Sequence, residues 1–112
     1  MKLAFVYYPV ADLTTSLRFY RDELGFEEAW REGDGTAGLV LPGTSARLML
    51  DVVKEGDRRP GAVFQVDSVD QFYREHPQYV WQEEPADIPG GRWAVFLDPN
   101  DNVVRLIDES RE

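Results

Sequence analysis

The sequence predicts an α+β protein built from two βαβββ modules, one in each half of the chain. An apolar run at residues 3–10 precedes a helical pattern, and three strand patterns follow at 26–31, 37–41 and 47–53. A polar stretch at 54–61, which contains two glycines and a proline, interrupts this order. The same order of elements then restarts, and a period close to half of the chain indicates an internally repeated fold.

The first helix is predicted to begin after Asp12 and to end at Gly25. The carboxylate of Asp12 can accept hydrogen bonds from amides of the first turn, and glycine readily adopts the left-handed backbone that ends many helices. We therefore expect a helix of about 12 residues. Its apolar residues recur at helical spacing and are Leu13, Leu17, Tyr20 and Leu24.

The second module repeats this plan with different residues. A strand is predicted at 62–66, and Ser68 with Gln71 forms a capping box for a short helix that Pro77 ends. Three further strands are predicted at 79–83, 92–97 and 103–107.

Residues 1–112 are expected to form a single domain, with module one at 1–56 and module two at 57–112. A chain of 112 residues is long enough for one compact domain and too short for two of ordinary size. Within each module, a four-stranded sheet with one helix leaves one face of the sheet uncovered. Two such faces must meet, either within the chain or between two chains, and we expect a homodimer.

The charge of the chain argues against two classes of partner. Asp plus Glu total 21 against 12 Lys plus Arg, and the formal net charge of -9 repels nucleic acid and anionic membrane surfaces. Cysteine is absent, which excludes disulfides and thiolate chemistry, and His76 is the one histidine. The apolar run at the N-terminus is too short for a signal peptide or a membrane span, which predicts a cytoplasmic location.

Three segments resemble the glyoxalase, bleomycin-resistance and extradiol-dioxygenase superfamily, whose members are also called vicinal oxygen chelate proteins. The segments are Val10-Ala11-Asp12-Leu13 with the following Ser16 to Phe26, then Val66 to Asp70, and finally Phe96 to Asn102. The resemblance covers nearly the whole chain. It implies that paired βαβββ modules form a half-open barrel around a cavity, which many members build as a homodimer. Asp101 stands where the family usually has glycine, so we expect an altered or slightly strained turn there.

The resemblance also indicates where the metal-dependent members of the superfamily hold their ion. The family's four ligand positions correspond to Phe5, Gly61, Arg105 and, from the repeat offset, Leu48. None of these side chains can ligate Mg, Mn, Fe or Zn, because two are hydrocarbons, one is absent and one is cationic. We therefore expect neither a metal nor another cofactor.

Strand alternation places Phe5 and Tyr7 on one face of the first strand, which the resemblance directs into the cavity. The same alternation, applied to the strands that contain Leu48 and Arg105, predicts an apolar cavity with one cation. Flat rings suit a planar ligand, and Trp93 follows a glycine-rich loop that could admit one. The predicted ligand-binding residues are Phe5, Tyr7, Trp30, Leu48, Trp93 and Arg105.

Each of these residues also has a purely structural interpretation. Arg105 could be a core residue that Glu27, Glu83 or Glu84 neutralises, and the tryptophans are equally good core residues. Tyr8 and Trp81 are expected to pack in the interior. His76 is expected at the surface near a helix end, and the carboxylates Glu27, Glu28, Glu83, Glu84 and Asp87 are expected to be solvated rather than to form a metal or acid site.

Three functions follow from these observations and from the resemblance. The first is a metal-free protein, similar to the bleomycin-resistance branch, that sequesters a small and partly aromatic molecule without turning it over. The acidic field favours a cationic ligand, whereas Arg105 favours a carboxylate or phosphate, and the sequence leaves both open. The second is a lyase, isomerase or dioxygenase whose metal lies elsewhere or whose chemistry needs no metal. The third is a structural or regulatory dimer whose cavity is filled.

Overall fold

A computed structural model describes residues 1–57 and 59–111 of the chain. The chain divides into two compact units. The first unit is Ala4–Pro60, and the second comprises Met1–Leu3 together with Gly61–Glu112. Neither contains a cis peptide bond among the residues that are described.

The first unit is built on one βαβββ module. Its sheet has the strand order β2-β3-β4-β1, in which β1 and β4 run parallel and the other neighbours run antiparallel. The bounds of the elements are β1 Lys2–Val10, α1 Leu13–Leu17, β2 Glu28–Glu32, β3 Thr36–Val40 and β4 Arg47–Val52.

The first helix has the predicted ends but not the predicted uniform geometry. Asp12 caps α1 by accepting from the Thr15 amide at 2.9 Å, and Gly25 ends the helix with a φ of 83°. Between them the α-helix covers only Leu13–Leu17, and a π-helical segment, Arg18–Glu23, completes it. The wider π turn directs Tyr20 onto Tyr8 and Phe26, which are also packed against the core of this unit.

The second unit repeats the module. Its strand order is β5-β8-β7-β6, with β5 and β8 parallel and the remaining pairs antiparallel. The bounds are β5 Gly61–Gln65, α2 Val69–Glu75, β6 Val80–Ile88, β7 Gly91–Leu97 and β8 Val103–Ile107.

Strand β6 is longer than the predicted 79–83 because it continues through Pro85 to Ile88. It is the last strand in the order, and its pairing with β7 shifts register between Trp81 and Glu83 and again between Glu83 and Ala86. An edge strand tolerates proline, because one side of it needs no ladder hydrogen bonds. The bulges also break the period of two that sequence analysis looks for.

In each unit the helix packs on one face of the sheet and forms a hydrophobic core there. The core of the first unit is Leu13, Leu17, Ala37, Leu39, Leu48 and Leu50. The core of the second is Val69, Ala94, Phe96 and Leu106, with Phe72 and Trp81 packed against it. Strand residues that alternate with these point to the opposite side, which we call the helix-free face of each sheet. The predicted fold class, α+β with two βαβββ modules, is confirmed.

A buried carboxylate holds the second unit together. Asp108 is 2% exposed, and its Oδ2 accepts from the Val69 amide of α2 at 2.7 Å. Its Oδ1 accepts from the Arg92 amide of β7 at 2.8 Å and from the Ser110 hydroxyl at 2.7 Å. Because several donors favour the charged form, the pKa of Asp108 is lowered even though burial acts to raise it.

The closing turn of the second unit contains a left-handed aspartate. Asp101 has a φ of 65°, the one positive value of a residue other than glycine in the part of the chain that is described. Asp98 organises the turn, since its Oδ1 accepts from the amides of Asn100 and Asn102, each at 2.8 Å. Asp101 therefore has the left-handed backbone conformation, which glycine adopts without a steric cost and which strains other residues.

Candidate functional site

The helix-free face of the first unit carries a row of functional side chains. In β1, Val6 and Tyr8 pack toward the helix, so Phe5 and Tyr7 point to the other side. The register pairs Tyr7 with Met49 of β4, and Met49 with Gly38 of β3. Tyr7 and Met49 are 4% and 8% exposed, so this row is buried although it lies on the helix-free face.

Trp30 lies flat against the middle of this face. It pairs with Gly38 in the β2–β3 ladder, and a Cβ placed on Gly38 would lie 2.6 Å from Cζ2 of the indole. Only glycine permits so close an approach of a ring to the strand. The edge of Phe5 meets Trp30 with ring centroids 6.0 Å apart and an angle of 82° between the planes. Together, the bare strand and the two rings form an aromatic platform.

A carboxylate lies beside the aromatic platform on the same face. Asp51 follows Met49 by two residues in β4 and accepts from the Tyr7 hydroxyl through Oδ2 at 2.5 Å. Its Oδ1 accepts from the Thr36 hydroxyl, also at 2.5 Å. These two bonds connect three neighbouring strands, because Tyr7 is in β1 and Thr36 in β3.

The predicted placement of Leu48 beside Phe5 and Tyr7 is wrong. Leu48 is 3% exposed and belongs to the helix-side core with Leu50. The residue of β4 on the helix-free face is Met49, which pairs with Tyr7 as Arg105 pairs with Val63 in the second unit. Side chains alternate along a strand, so an error of one residue in the assumed register exchanges the two faces. Such an error placed Leu48 on the wrong face of β4.

In the second unit, the helix-free face holds the predicted Arg105 and Trp93. Ala94, Phe96 and Leu106 pack toward the helix, so their neighbours Trp93 and Arg105 point away from it. Arg105 is 2% exposed and is the largest of the fully buried side chains. A Cβ placed on Gly61 would lie 3.6 Å from its Nη1. The guanidinium therefore lies beside Gly61, at a distance that would be an ordinary van der Waals contact for a Cβ at that position.

The carboxylates that the sequence suggested as partners of Arg105 lie in solvent. Glu27, Glu83 and Glu84 are all exposed, and Glu84 accepts a hydrogen bond from the Tyr73 hydroxyl at 3.2 Å. Burial of a guanidinium is costly unless hydrogen bonds or an opposite charge compensate it.

The remaining sequence candidates have structural contacts. Tyr8 and Trp81 pack against the helix-side cores as expected. His76, expected at the surface, is instead half-buried. Its ring is stacked 4.2 Å from Phe72 and 4.7 Å from Tyr79, and Nδ1 lies 2.8 Å from the Phe72 carbonyl oxygen.

Of the acidic residues that the sequence analysis considered, Glu28 and Asp87 form ion pairs, whereas the other three are exposed. Glu28 is bound by Arg31 at 2.7 Å and by Arg21 at 2.9 Å, and the hydrogen bond from Arg31 is the main cause that lowers the pKa of Glu28. Asp87 contacts Arg92 at 3.0 Å. Within residues 1–57 and 59–111, no three His, Asp or Glu side chains are grouped as a metal site would require.

Sequence reasoning missed Thr36, Gly38, Met49 and Asp51. A signal existed for Gly38, because a glycine between Ala37 and Leu39 inside a strand indicates close approach by another group. Asp51 alternates with the buried Leu50 and so had to point away from the core. Its hydroxyl donors come from distant parts of the sequence, and no local pattern connects them.

Comparison with models of protein families identifies the family of this chain. The model of the Glyoxalase/Bleomycin resistance protein/Dioxygenase superfamily matches residues 2–106. The chain belongs to this superfamily. No curated protein matches the chain.

Solved structures of the superfamily fold cover nearly the whole chain. The chain is similar to the NAD-dependent benzaldehyde dehydrogenase of Legionella pneumophila, with 23% identity, a TM-score of 0.75, and coverage of 95% of this chain and 98% of that one. A glyoxalase/bleomycin resistance protein/dioxygenase superfamily member of Vibrio splendidus 12B01 shares 18% identity, with a TM-score of 0.67 and coverage of 96% and 99%. The methylmalonyl-CoA epimerase of Mycobacterium tuberculosis shares 22%, with a TM-score of 0.62 and coverage of 97% and 88%. At these identities the similarity shows the fold.

The metal-ligand positions of the superfamily can now be named with the corrected register. They are Phe5, Met49, Gly61 and Arg105. No carboxylate or imidazole is among them, and a guanidinium repels a cation, so these residues do not fit a divalent metal. No helix among residues 1–57 and 59–111 has the length and apolar character to cross a membrane.

Proposed function

We propose that this member of the superfamily binds a small, partly aromatic molecule on the helix-free face of its first unit and does not use a metal. The observation that carries the proposal is the aromatic platform, in which Trp30 lies against the bare backbone of Gly38 and meets the edge of Phe5. A flat, rigid apolar surface with polar groups at its margin is typical of sites for planar ligands.

The polar margin supports the same function. Tyr7 and Asp51 lie beside the platform, and their mutual hydrogen bond fixes the orientation of both side chains. Fixed polar groups next to an apolar surface orient a ligand without adding much entropy cost on binding. The buried core of the first unit lies on the other face of the sheet and does not need these residues.

The second unit has its own candidate contacts, Trp93 and Arg105. Both point to the helix-free face, and the guanidinium of Arg105 is suited to an oxygen-bearing group of a ligand. We therefore keep both as proposed ligand-binding residues, together with Phe5, Tyr7 and Trp30. Leu48 is removed from this set because it packs in the helix-side core.

A matched pair of probes tests the proposal. Naphthol is flat and aromatic, whereas decahydronaphthol has the same carbon skeleton but is saturated and puckered. We expect saturation-transfer NMR to detect naphthol, with decahydronaphthol at least several-fold weaker, because only the flat ring can stack on Trp30. Trp30→Ala removes the platform and is expected to abolish the difference.

Trp81→Phe is the matched control, since Trp81 packs in the core of the second unit on the helix side. It changes an indole without touching the platform, so naphthol binding should persist. If naphthol fails to bind wild-type protein at millimolar concentration, or binds Trp30→Ala equally well, the proposed function is wrong.

A further inference from the structure

We propose that Asp51 makes the binding face of the first unit selective for ligands that carry a cationic nitrogen, such as an ammonium or amidinium group, next to a flat ring. This inference rests on the proposed function, because it specifies the ligand class of the same face. The deciding feature is the way in which Asp51 is held.

The half-buried carboxylate of Asp51 is held by neutral groups. Its two oxygens accept from the Tyr7 and Thr36 hydroxyls, and it takes part in none of the ion pairs found among residues 1–57 and 59–111. Other carboxylates of the same unit, such as Glu28 and Asp22, are paired with arginine. A partly desolvated carboxylate that accepts from neutral hydroxyls gains from an incoming cation.

The protons of the surrounding hydroxyls reinforce this preference. Tyr7 and Thr36 donate their hydroxyl hydrogens to Asp51, so neither of these hydrogens is available to a ligand. A carboxylate has about four acceptor sites, of which these bonds use two. The polar margin is therefore made of acceptors, which suits a ligand that supplies hydrogen-bond donors and disfavours one that supplies a carboxylate.

The position of Asp51 sets the distance between the cation and the ring. Asp51 lies two residues from Met49 along β4, which corresponds to about 7 Å. Met49 is in register with Gly38, on which Trp30 lies. A ring that stacks on Trp30 therefore places a substituent on its edge within reach of Asp51. The formal net charge of -9 also draws cations toward the protein.

Three probes of one shape and different charge test the inference. Naphthamidinium is a cation with donors, naphthamide is neutral, and naphthoate is an anion. We expect calorimetric titration of wild-type protein to give an affinity for naphthamidinium about tenfold or more above that for naphthamide, since a charge-assisted bidentate pair replaces a neutral one. Naphthoate should bind most weakly.

Asp51→Asn keeps the shape of the side chain and should reduce the preference for the cation to less than about twofold. Asp67→Asn is the matched control, because it removes the same charge from an exposed position in the second unit and should leave the preference unchanged. Thermal unfolding of each variant checks that the fold is retained.

The outcomes separate this inference from the proposed function. If naphthamide or naphthoate binds as tightly as naphthamidinium while Trp30→Ala still abolishes binding, Asp51 is a structural tie between strands and the inference fails alone. If Asp51→Asn keeps the cation preference, the field of the whole protein is responsible and the inference also fails. Absence of binding by all three probes and by naphthol overturns both.

Discussion

Replacement of Asp108 by asparagine probes a buried carboxylate that accepts several hydrogen bonds. At 2% exposure, Asp108 accepts from the Val69 amide through one oxygen and from Arg92 and Ser110 through the other. Asparagine has one carbonyl oxygen, so it can accept hydrogen bonds on only one of these two sides. Its NH₂ group must face the donors on the other side, which leaves a buried amide hydrogen without an acceptor.

A buried donor that loses its acceptor costs about 1–3 kcal/mol. We therefore expect Asp108→Asn to lower the free energy of unfolding by about 2 kcal/mol at neutral pH, which corresponds to a fall in Tm of roughly 10 °C for a domain of this size. Urea denaturation, monitored by tryptophan fluorescence and by circular dichroism, measures this change in the free energy of unfolding. Glu109→Gln, an exposed neighbour, is the matched control and should change the free energy by less than about 0.5 kcal/mol.

The pH dependence provides a second, independent test of the same contacts. The pKa of Asp108 is lowered in the folded protein below the ordinary value of an aspartate, so the contribution of this carboxylate to stability is complete well above that ordinary value. It is lost as the pH falls through the lowered folded pKa. The difference between wild type and Asp108→Asn should therefore be constant near neutrality and shrink in acid. A difference that is below 0.5 kcal/mol, or that does not change with pH, would refute the argument.

Four further predictions concern the metal, the assembly and two residues. Purified protein should contain no stoichiometric Mn, Fe, Ni or Zn by elemental analysis, and one chelatable ion per chain that stabilises the fold would contradict this. Light scattering should give the mass of a homodimer, since each module has a second sheet face to cover, and a monomer at micromolar concentration would contradict it. Arg105→Met should leave Tm unchanged or higher while abolishing the affinity for an oxygen-bearing ligand that a screen finds on the second unit, whereas a loss of about 3 kcal/mol or more in the free energy of unfolding would mean that Arg105 is structural. Asp101→Gly should raise stability by up to about 1 kcal/mol by releasing the strain of the φ of 65°, and calorimetry that finds no gain would show that Asp101 is unstrained.

The order of elements could be predicted because local chemistry determines it. Asp12 and Ser68 cap their helices through the amides of Thr15 and Gln71, as their spacing indicated. Gly25 adopts the left-handed conformation that ends the first helix. Each of these contacts spans at most a few residues, so the sequence contains all of the partners.

The π-helical segment and the length of β6 could not be predicted from the same signals. The Leu13, Leu17, Tyr20 and Leu24 pattern fits an α-helix, and the change of pitch within Arg18–Glu23 is coupled to the packing of Tyr20 against Tyr8 in another element. In β6, the pair Glu83-Glu84 and the proline at 85 are exposed-edge features that look like a strand end. Both depend on tertiary position.

The error at Leu48 has a specific origin in loop length. Between β3 and β4 the loop has six residues, 41–46, and between β7 and β8 it has five, 98–102. The equivalence of Ala37 with Ala94, both in helix-side cores, gives an offset of 57 residues, whereas the equivalence of Leu50 with Leu106 gives 56. Carrying the offset of 57 across the loop therefore assigned Leu48, instead of Met49, to the position of Arg105.

With the corrected offsets, the two units are similar on one face and different on the other. On the helix side, Leu39 corresponds to Phe96 and Leu50 to Leu106, so apolar packing is repeated. On the helix-free side, Gly38 corresponds to the fully buried Val95, whose side chain leaves no bare strand on which an indole could lie.

The polar residues of the binding face follow the same division. Asp51 of the first unit corresponds to Ile107 of the second, and Tyr7 to Val63, so the Tyr7–Asp51 pair is not repeated at the equivalent positions of the second unit. Each sheet must bury one apolar face against its helix to be stable, so the apolar core is repeated in both units. The helix-free faces are under no such requirement to match. Because their side chains differ, we place the proposed ligand, a flat ring with a cationic group, on the first unit.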